Sequence, residues 1–218
     1  MKSIKDILIK LKPMTLEQEK EFSDKRALEL KRRLQTSFEN SLPERYKKSS
    51  LENYHTMNNP DIENALNICK SQQSKSLNII LYGENGCGKT HLAYGMLRKA
   101  HMARKIAFYF TTKSLIRQLR NKESWKNEQA IRQIVRADLI VIDEIGRTPG
   151  TPAEKSDLFE VIDRRYADMK QTILISNLRE EVLNNEIGVG LISRLTGASN
   201  SLILCDWEDY RLNNSKGV

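Results

Sequence analysis

Cysteine is scarce in this chain: Cys69, Cys87 and Cys205 are the only three in 218 residues. They are odd in number and far apart in sequence, which supports neither a disulfide framework nor a zinc-ligand spacing. No apolar run approaches the length that crosses a bilayer. The opening Met1-Lys2-Ser3-Ile4-Lys5-Asp6 has no hydrophobic stretch of the kind a secretory leader carries. The expectation is therefore a cytoplasmic location with no membrane partner. Low-complexity tracts and internal repeats are also missing, so nothing marks a solenoid or a linker-rich chain. Positive charge is plentiful: 36 Lys and Arg stand against 28 Asp and Glu, a net charge of +8. That balance is compatible with a nucleic-acid partner without establishing one.

The most informative stretch is Gly83-Glu84-Asn85-Gly86-Cys87-Gly88-Lys89-Thr90. An apolar run, Asn78-Ile79-Ile80-Leu81-Tyr82, precedes it, and a helical segment opens at His91. Strand, G-x-x-x-x-G-K-T and helix together make the context of a phosphate-binding loop. The glycines let the backbone wrap so that successive N–H groups point at phosphate oxygens, and the helix N-terminus adds the positive end of its dipole. Lys89 supplies a point charge to the β- and γ-phosphates, and Thr90 offers a hydroxyl to Mg²⁺.

Around this loop, strands and helices alternate. Strands are expected at about 78–82, 105–110, 138–142, 172–176 and 201–205. Helices are expected at about 61–72, 114–120, 123–136, 153–169 and 191–195, besides the one after the loop. Apolar strands separated by helices imply an α/β fold whose parallel sheet is covered on both faces. Ligand then sits beyond the carboxyl ends of the strands. Residues 1–40 read as charged helix with a thin apolar stripe, broken at Ser41-Leu42-Pro43, where the domain boundary is placed. The stripe allows two readings, a helix lying on the main domain or an arm for a partner protein.

Three further elements complete a nucleotide-hydrolysing pattern. Asp143 and Glu144 end an apolar strand; Asp143 can hold Mg²⁺ opposite Thr90, and Glu144 can orient or deprotonate an attacking water. Asn177, after the fourth strand, can hydrogen-bond the γ-phosphate or the water. Arg194 reads either as a surface charge or as an arginine finger that reaches a neighbouring subunit's γ-phosphate.

This ordered set resembles an AAA+ ATPase. Met1–Leu8, Ser50-Leu51-Glu52-Asn53-Tyr54, Asp143-Glu144-Ile145-Gly146, Val161-Ile162-Asp163-Arg164-Arg165 and Asp206-Trp207-Glu208-Asp209-Tyr210-Arg211 narrow the resemblance to DnaC-type replicative helicase loaders. DnaI loaders and IstB transposition helpers are similar in the same core. The resemblance implies a five-stranded parallel P-loop sheet of the AAA+/ASCE kind, without a C-terminal lid domain and with a helical N-terminal arm. It implies ATP and Mg²⁺ as cofactors, with Gly83 to His91 and a second sensor arginine, Arg211, on the nucleotide. Lys89, Asp143, Glu144, Asn177 and Arg194 are then the catalytic set, with Thr90 and Asp143 on the metal.

The same resemblance makes 1–40 a helicase-binding arm, with Ile4, Ile7, Leu8 and Leu11 as its contacts, and 41–218 the ATPase domain. It places a single-stranded DNA contact at Lys113, Arg117, Arg120, Lys122, Trp125 and Lys126, where basic side chains accompany an aromatic ring that is equally suited to burial. The expected partners are a DnaB-type hexameric helicase, single-stranded DNA and further copies of the chain through Arg194. The expected activity is ATP-dependent helicase loading with weak ATP turnover stimulated by DNA or partner. The alternative is an IstB-like helper acting on duplex DNA with a transposase. Residues 1–40 contain no cysteine, which does not support the zinc-bearing arrangement of DnaI.

Overall fold

The structure is a computed structural model. It describes residues 42–75, 78–120, 124–147, 150–197 and 201–210, with the backbone alone at 72–75, 124–127, 130 and 201; before residue 42 it describes only eight helical positions between 17 and 29. The chain divides into two compact units, Met1–Ser41 and Leu42–Val218. Ile4, Ile7, Leu8 and Leu11 lie outside the described residues.

In the second unit five strands form one sheet: β1 Ile79–Tyr82, β2 Ala107–Thr111, β3 Leu139–Ile145, β4 Gln171–Ser176 and β5 Ser201–Leu204. Their order is β2-β3-β4-β1-β5 and every pairing is parallel. The helices are α1 Pro60–Lys75, α2 Lys89–Met102, α3 Thr112–Leu119, α4 Ser124–Arg136, α5 Pro152–Ala167, α6 Glu180–Ile187 and α7 Val189–Thr196. Side chains alternate across a strand, so each strand feeds both faces. Ile80, Ile140, Ile142 and Leu174 pack with Leu115, Ile134, Ile162, Leu183 and Leu191 from α3 to α7. The alternate residues Ile79, Leu81, Val141, Ile173 and Ile175 are equally buried. They point to the other face, where α2 meets β2, β3 and β4 and α1 packs on α2. The expected fold, a parallel P-loop sheet with helices on both faces, is the one found.

Local chemistry sets the helix boundaries near the site. Thr111 caps α3 by accepting the Ser114 N–H at 3.2 Å. A reciprocal capping box starts α5: the Thr151 hydroxyl accepts the Glu154 N–H, and the Glu154 carboxylate accepts the Thr151 N–H at 2.8 Å. Pro152 occupies the first turn, where no backbone donor is needed.

The structure differs from the sequence expectation in two places. α6 falls in a stretch read as connection; Leu183 is its only buried residue, so no apolar periodicity marks it. The third strand does not stop at the acids but runs through them to Ile145. Ile142 pairs with Leu174 and Ile145 with Ser176, so three steps on β3 answer two on β4. The result is a bulge at Asp143-Glu144.

Candidate functional site

The sheet order puts the end of β4 between the ends of β1 and β3. The loop after β1, the acids of β3 and Asn177 after β4 therefore meet at one edge. A cavity of about 1250 Å³ opens there, lined by Asn85, Gly86, Cys87, Gly88, Lys89, Thr90, His91, Asp143, Glu144 and Asn177. Aromatic rings of Tyr46, Tyr54, Tyr94, Tyr109, Trp207 and Tyr210 line the same space.

The loop wraps because Gly83, Gly86 and Gly88 hold φ of +119°, +84° and +86°, a region that costs other residues dearly. Space is a second reason: a Cβ on Gly83 would lie 2.5 Å from the Cys205 carbonyl oxygen. Lys89, the first residue of α2, is 4% exposed. Its ammonium donates to the carbonyls of Gly83 at 2.8 Å and Glu84 at 2.5 Å. The cation thus lies across the mouth of its own loop.

Thr90 donates its hydroxyl to Asp143 Oδ2 at 3.0 Å, and Tyr109 donates its phenol to the same oxygen at 2.8 Å. The other carboxylate oxygen accepts the Glu144 N–H at 2.6 Å. Burial and the Asp143 charge push the Tyr109 phenol far above its ordinary value, so it remains a donor. Tyr109 also ends a ladder of rings, stacking at 4.7 Å on Tyr94, which stacks at 4.6 Å on Tyr46. Glu144 has φ +62°, in the left-handed region unfavourable to a side-chain-bearing residue. The bulge holds it there and turns its carboxylate into the cavity, where Arg147 forms an ion pair with it.

A hydroxyl and a carboxylate facing each other at this distance are hard oxygen donors of the kind Mg²⁺ takes. Among the described residues no cluster of three His, Cys, Asp or Glu could hold a metal by itself. Mg²⁺ is commonly held by one or two protein side chains, with the rest of its shell from phosphate and water. Thr90 and Asp143 are the residues that would hold it.

The chain matches the family described as IstB-like ATP binding protein over residues 6–216. The chain belongs to that family. Among its relatives is the Escherichia coli K12 protein YdaV, described as uncharacterized, 25% identical over 77% of this chain and 70% of YdaV. Another is the E. coli K12 replicative helicase loader DnaC, 26% identical over 61% of this chain and 55% of DnaC. The match therefore spans about half the length of that curated relative. A crystal structure of the DnaC helicase loader superposes with a TM-score of 0.67 at 22% identity, covering 75% of this chain and 100% of that one. These findings bear out the resemblance to DnaC-type loaders and the P-loop AAA+ fold, and the family description carries ATP binding.

Within this IstB-like chain the remaining expected residues fall in several places. His91 lines the cavity, but its Nε2 faces the Ser50 carbonyl at 3.1 Å and Asn53 Oδ1 at 3.0 Å. Arg194 on α7 is exposed, paired with Asp163 of α5 and set 5.8 Å over the Phe159 ring. It is not among the residues lining the cavity. Lys113 and Arg117 are exposed on α3, whereas Arg120 forms an ion pair with Asp157 at 2.6 Å. Trp125 and Lys126 sit in the first turn of α4, with their side chains outside the described residues; Lys122 and Arg211 lie outside them altogether.

Sequence reasoning gave no role to Arg147, Tyr109, Tyr54 or Trp207, all of which line the cavity. It also kept the cysteines apart, whereas Cys87 and Cys205 influence one another: the neighbouring Cys205 thiol, then the Lys89 ammonium, holds the Cys87 thiol below the usual range, and Cys205 is pushed up by Cys87 and by burial. All three cysteines are free.

Proposed function

We propose that this IstB-like protein is an ATP-hydrolysing loader that binds a hexameric replicative DNA helicase and places it on single-stranded DNA. The observation that carries the ATPase half is the Thr90–Asp143 hydrogen bond at 3.0 Å, in one cavity with Lys89, Glu144 and Asn177. Similarity to relatives described as replicative helicase loaders supports the other half.

In this reading Lys89 leaves the Gly83 and Glu84 carbonyls for the β- and γ-phosphates. Thr90 and Asp143 would hold Mg²⁺, which when bound would supply positive charge to offset that of the phosphates. Glu144 releases Arg147 and orients or deprotonates the attacking water, and Asn177 holds that water or the γ-phosphate. Arg194 serves a neighbouring copy's site in trans, supported by its exposure and by its position off this chain's own cavity. Arg211 acts as a second sensor. Residues 1–40 are the helicase-binding arm and 41–218 the ATPase domain. Lys113, Arg117, Arg120, Lys122, Trp125 and Lys126 follow single-stranded DNA, and turnover is weak until DNA or helicase stimulates it. The proposed location is cytoplasmic; no helix among the described residues is long and apolar enough to cross a membrane.

The decisive experiment is a pull-down with a replicative helicase, with and without ATP. The intact chain and a Lys89→Ala variant should both capture helicase, and only the intact chain should release it on ATP addition. Capture by a chain lacking residues 1–40 would refute the recruitment model. The second reading, a transposase partner acting on duplex DNA, is favoured by the family description itself. A gel shift showing strong preference for duplex over single strands would select it.

A further inference from the structure

The peptide between Cys87 and Gly88 is held by two side chains from distant parts of the chain. Tyr54 donates its phenol to the Cys87 carbonyl at 2.7 Å, and Trp207 donates its indole N–H to the same oxygen at 2.6 Å. Each comes from a segment that is itself anchored. Tyr54 follows a turn in which Ser50 and Asn53 exchange backbone-to-side-chain hydrogen bonds at 2.9 and 3.2 Å. Trp207 is buried in a segment tied to the loop by Cys205 N–H to the Tyr82 carbonyl at 2.7 Å and Tyr210 N–H to the Gly86 carbonyl at 3.3 Å. The Tyr54 ring also packs on Gly88, where an added Cβ would lie 2.7 Å from the phenol oxygen.

Geometry gives this clamp a consequence. A trans peptide is planar, so its C=O and the following N–H point in opposite directions. With the Cys87 oxygen fixed on Tyr54 and Trp207, the Gly88 N–H is turned away from both. A peptide next to a glycine at φ +86° has little steric resistance to rotating. The flipped peptide would offer phosphate a carbonyl dipole instead of a donor. An indole N–H can only donate, and burial pushes the Tyr54 phenol far above its ordinary value and keeps its proton on. The donor-only indole of Trp207 therefore selects this peptide orientation, and the Tyr54 phenol reinforces it by donating to the same oxygen.

We propose that Tyr54 and Trp207 are positioning residues for phosphate binding: together they pin the Cys87 carbonyl and so aim the Gly88 N–H at the phosphates of a bound nucleotide. This rests on the reading that the Gly83–Thr90 loop holds a nucleoside di- or triphosphate. Neither residue needs to touch the phosphates.

The test compares the full chain with Tyr54→Phe, Trp207→Phe and the double variant in equilibrium binding of ATP, ADP and adenosine, with steady-state ATP turnover alongside. Each single change should weaken ATP and ADP by about three- to tenfold, the worth of one hydrogen bond. The double variant should lose more, adenosine affinity should stay constant, and kcat at saturation should stay within about twofold while KM rises. Unchanged ADP affinity in a double variant that still melts cooperatively would overturn the proposal. An equal loss for adenosine would also overturn it, by placing both rings on the base. Tyr54→Phe removes only one hydroxyl, so it provides the answer even if Trp207→Phe does not fold. A wild-type chain that binds none of the three ligands would refute the nucleotide reading itself, whereas a wild-type chain sensitive to Lys89→Ala but indifferent to both clamps would refute only this proposal.

Discussion

Replacing Arg165 should destabilise the fold more than replacing any residue of the candidate catalytic set. The side chain is fully buried on α5 and donates chiefly to backbone carbonyls. Its Nη1 reaches the carbonyls of Ile134, Val135 and Ala137 at 2.6, 3.0 and 2.9 Å. Its Nη2 reaches the Gln171 carbonyl at 2.5 Å, and its Nε the Thr172 hydroxyl at 3.1 Å. The first of these acceptors belong to the last turn of α4, where carbonyls have no partner within their own helix and carry the negative end of its dipole. One guanidinium thus closes the end of α4 and joins it to the start of β4. Burial pulls its pKa down to about 10, so at neutral pH it remains a cation.

Arg165→Ala leaves those carbonyls buried without a donor, at about 1–3 kcal/mol for each that stays dry. Removing the guanidinium also removes the cost of desolvating it, and the net loss from deleting one side of a buried charged network is about 3–5 kcal/mol. At about 2–4 °C per kcal/mol for a chain of this size, melting should fall by roughly 6–20 °C. Arg165→Lys keeps the charge but not the fork, since an ammonium radiates from one point and cannot span from Ala137 to Gln171. It should recover less than half of the loss. Thermal and urea melts monitored by circular dichroism measure both changes. An Ala variant within about 1 kcal/mol of wild type, or a Lys variant indistinguishable from it, would refute the argument, because either result means that water or backbone movement satisfies those carbonyls as well as Arg165 does.

Thr151→Ala should remove the hydroxyl half of the α5 capping box, leaving the backbone N–H of residue 151 to the Glu154 carboxylate, and cost about 1 kcal/mol, a melting shift of about 2–4 °C with ATP affinity unchanged. Acid stability should depend on Asp138. Burial alone would raise its carboxyl, but the Ile106 N–H at 3.0 Å and Lys170 at 3.1 Å hold it below the usual range. Its folded pKa is depressed, so its contribution is present above the unfolded value and is lost as pH falls through the folded one. Asp138→Asn should flatten the stability profile in that acid window and nowhere else, as melts from pH 2 to pH 7 would record. Glu144→Gln should bind ATP and fail to turn it over; unimpaired turnover in that variant would assign the water to another group.

What the sequence made legible was whatever is encoded within a few residues. The loop spacing, the strand before it and the acids after an apolar run each carry their own local pattern, and the alternation of strand and helix was enough for the parallel sheet. What escaped it depends on distant partners. The bulge and φ +62° at Glu144 exist because β3 must stay in register with β4. Arg165 stood in a recognisable motif, yet its role comes from carbonyls 28 to 31 positions away. Tyr54 and Trp207 meet Cys87 across 33 and 120 positions. The charges of the site rest on internal partners too, local for Lys89 and Glu144 and distant for Arg194. Lys89 is held by loop carbonyls, Glu144 by Arg147 and Arg194 by Asp163. Each group assigned to the phosphates must exchange an internal partner before it can act. The exposed Glu144–Arg147 and Arg194–Asp163 ion pairs are worth at most about 1 kcal/mol each. They are therefore weak enough to yield to a triphosphate or a neighbouring subunit, and strong enough to leave each charge a resting place.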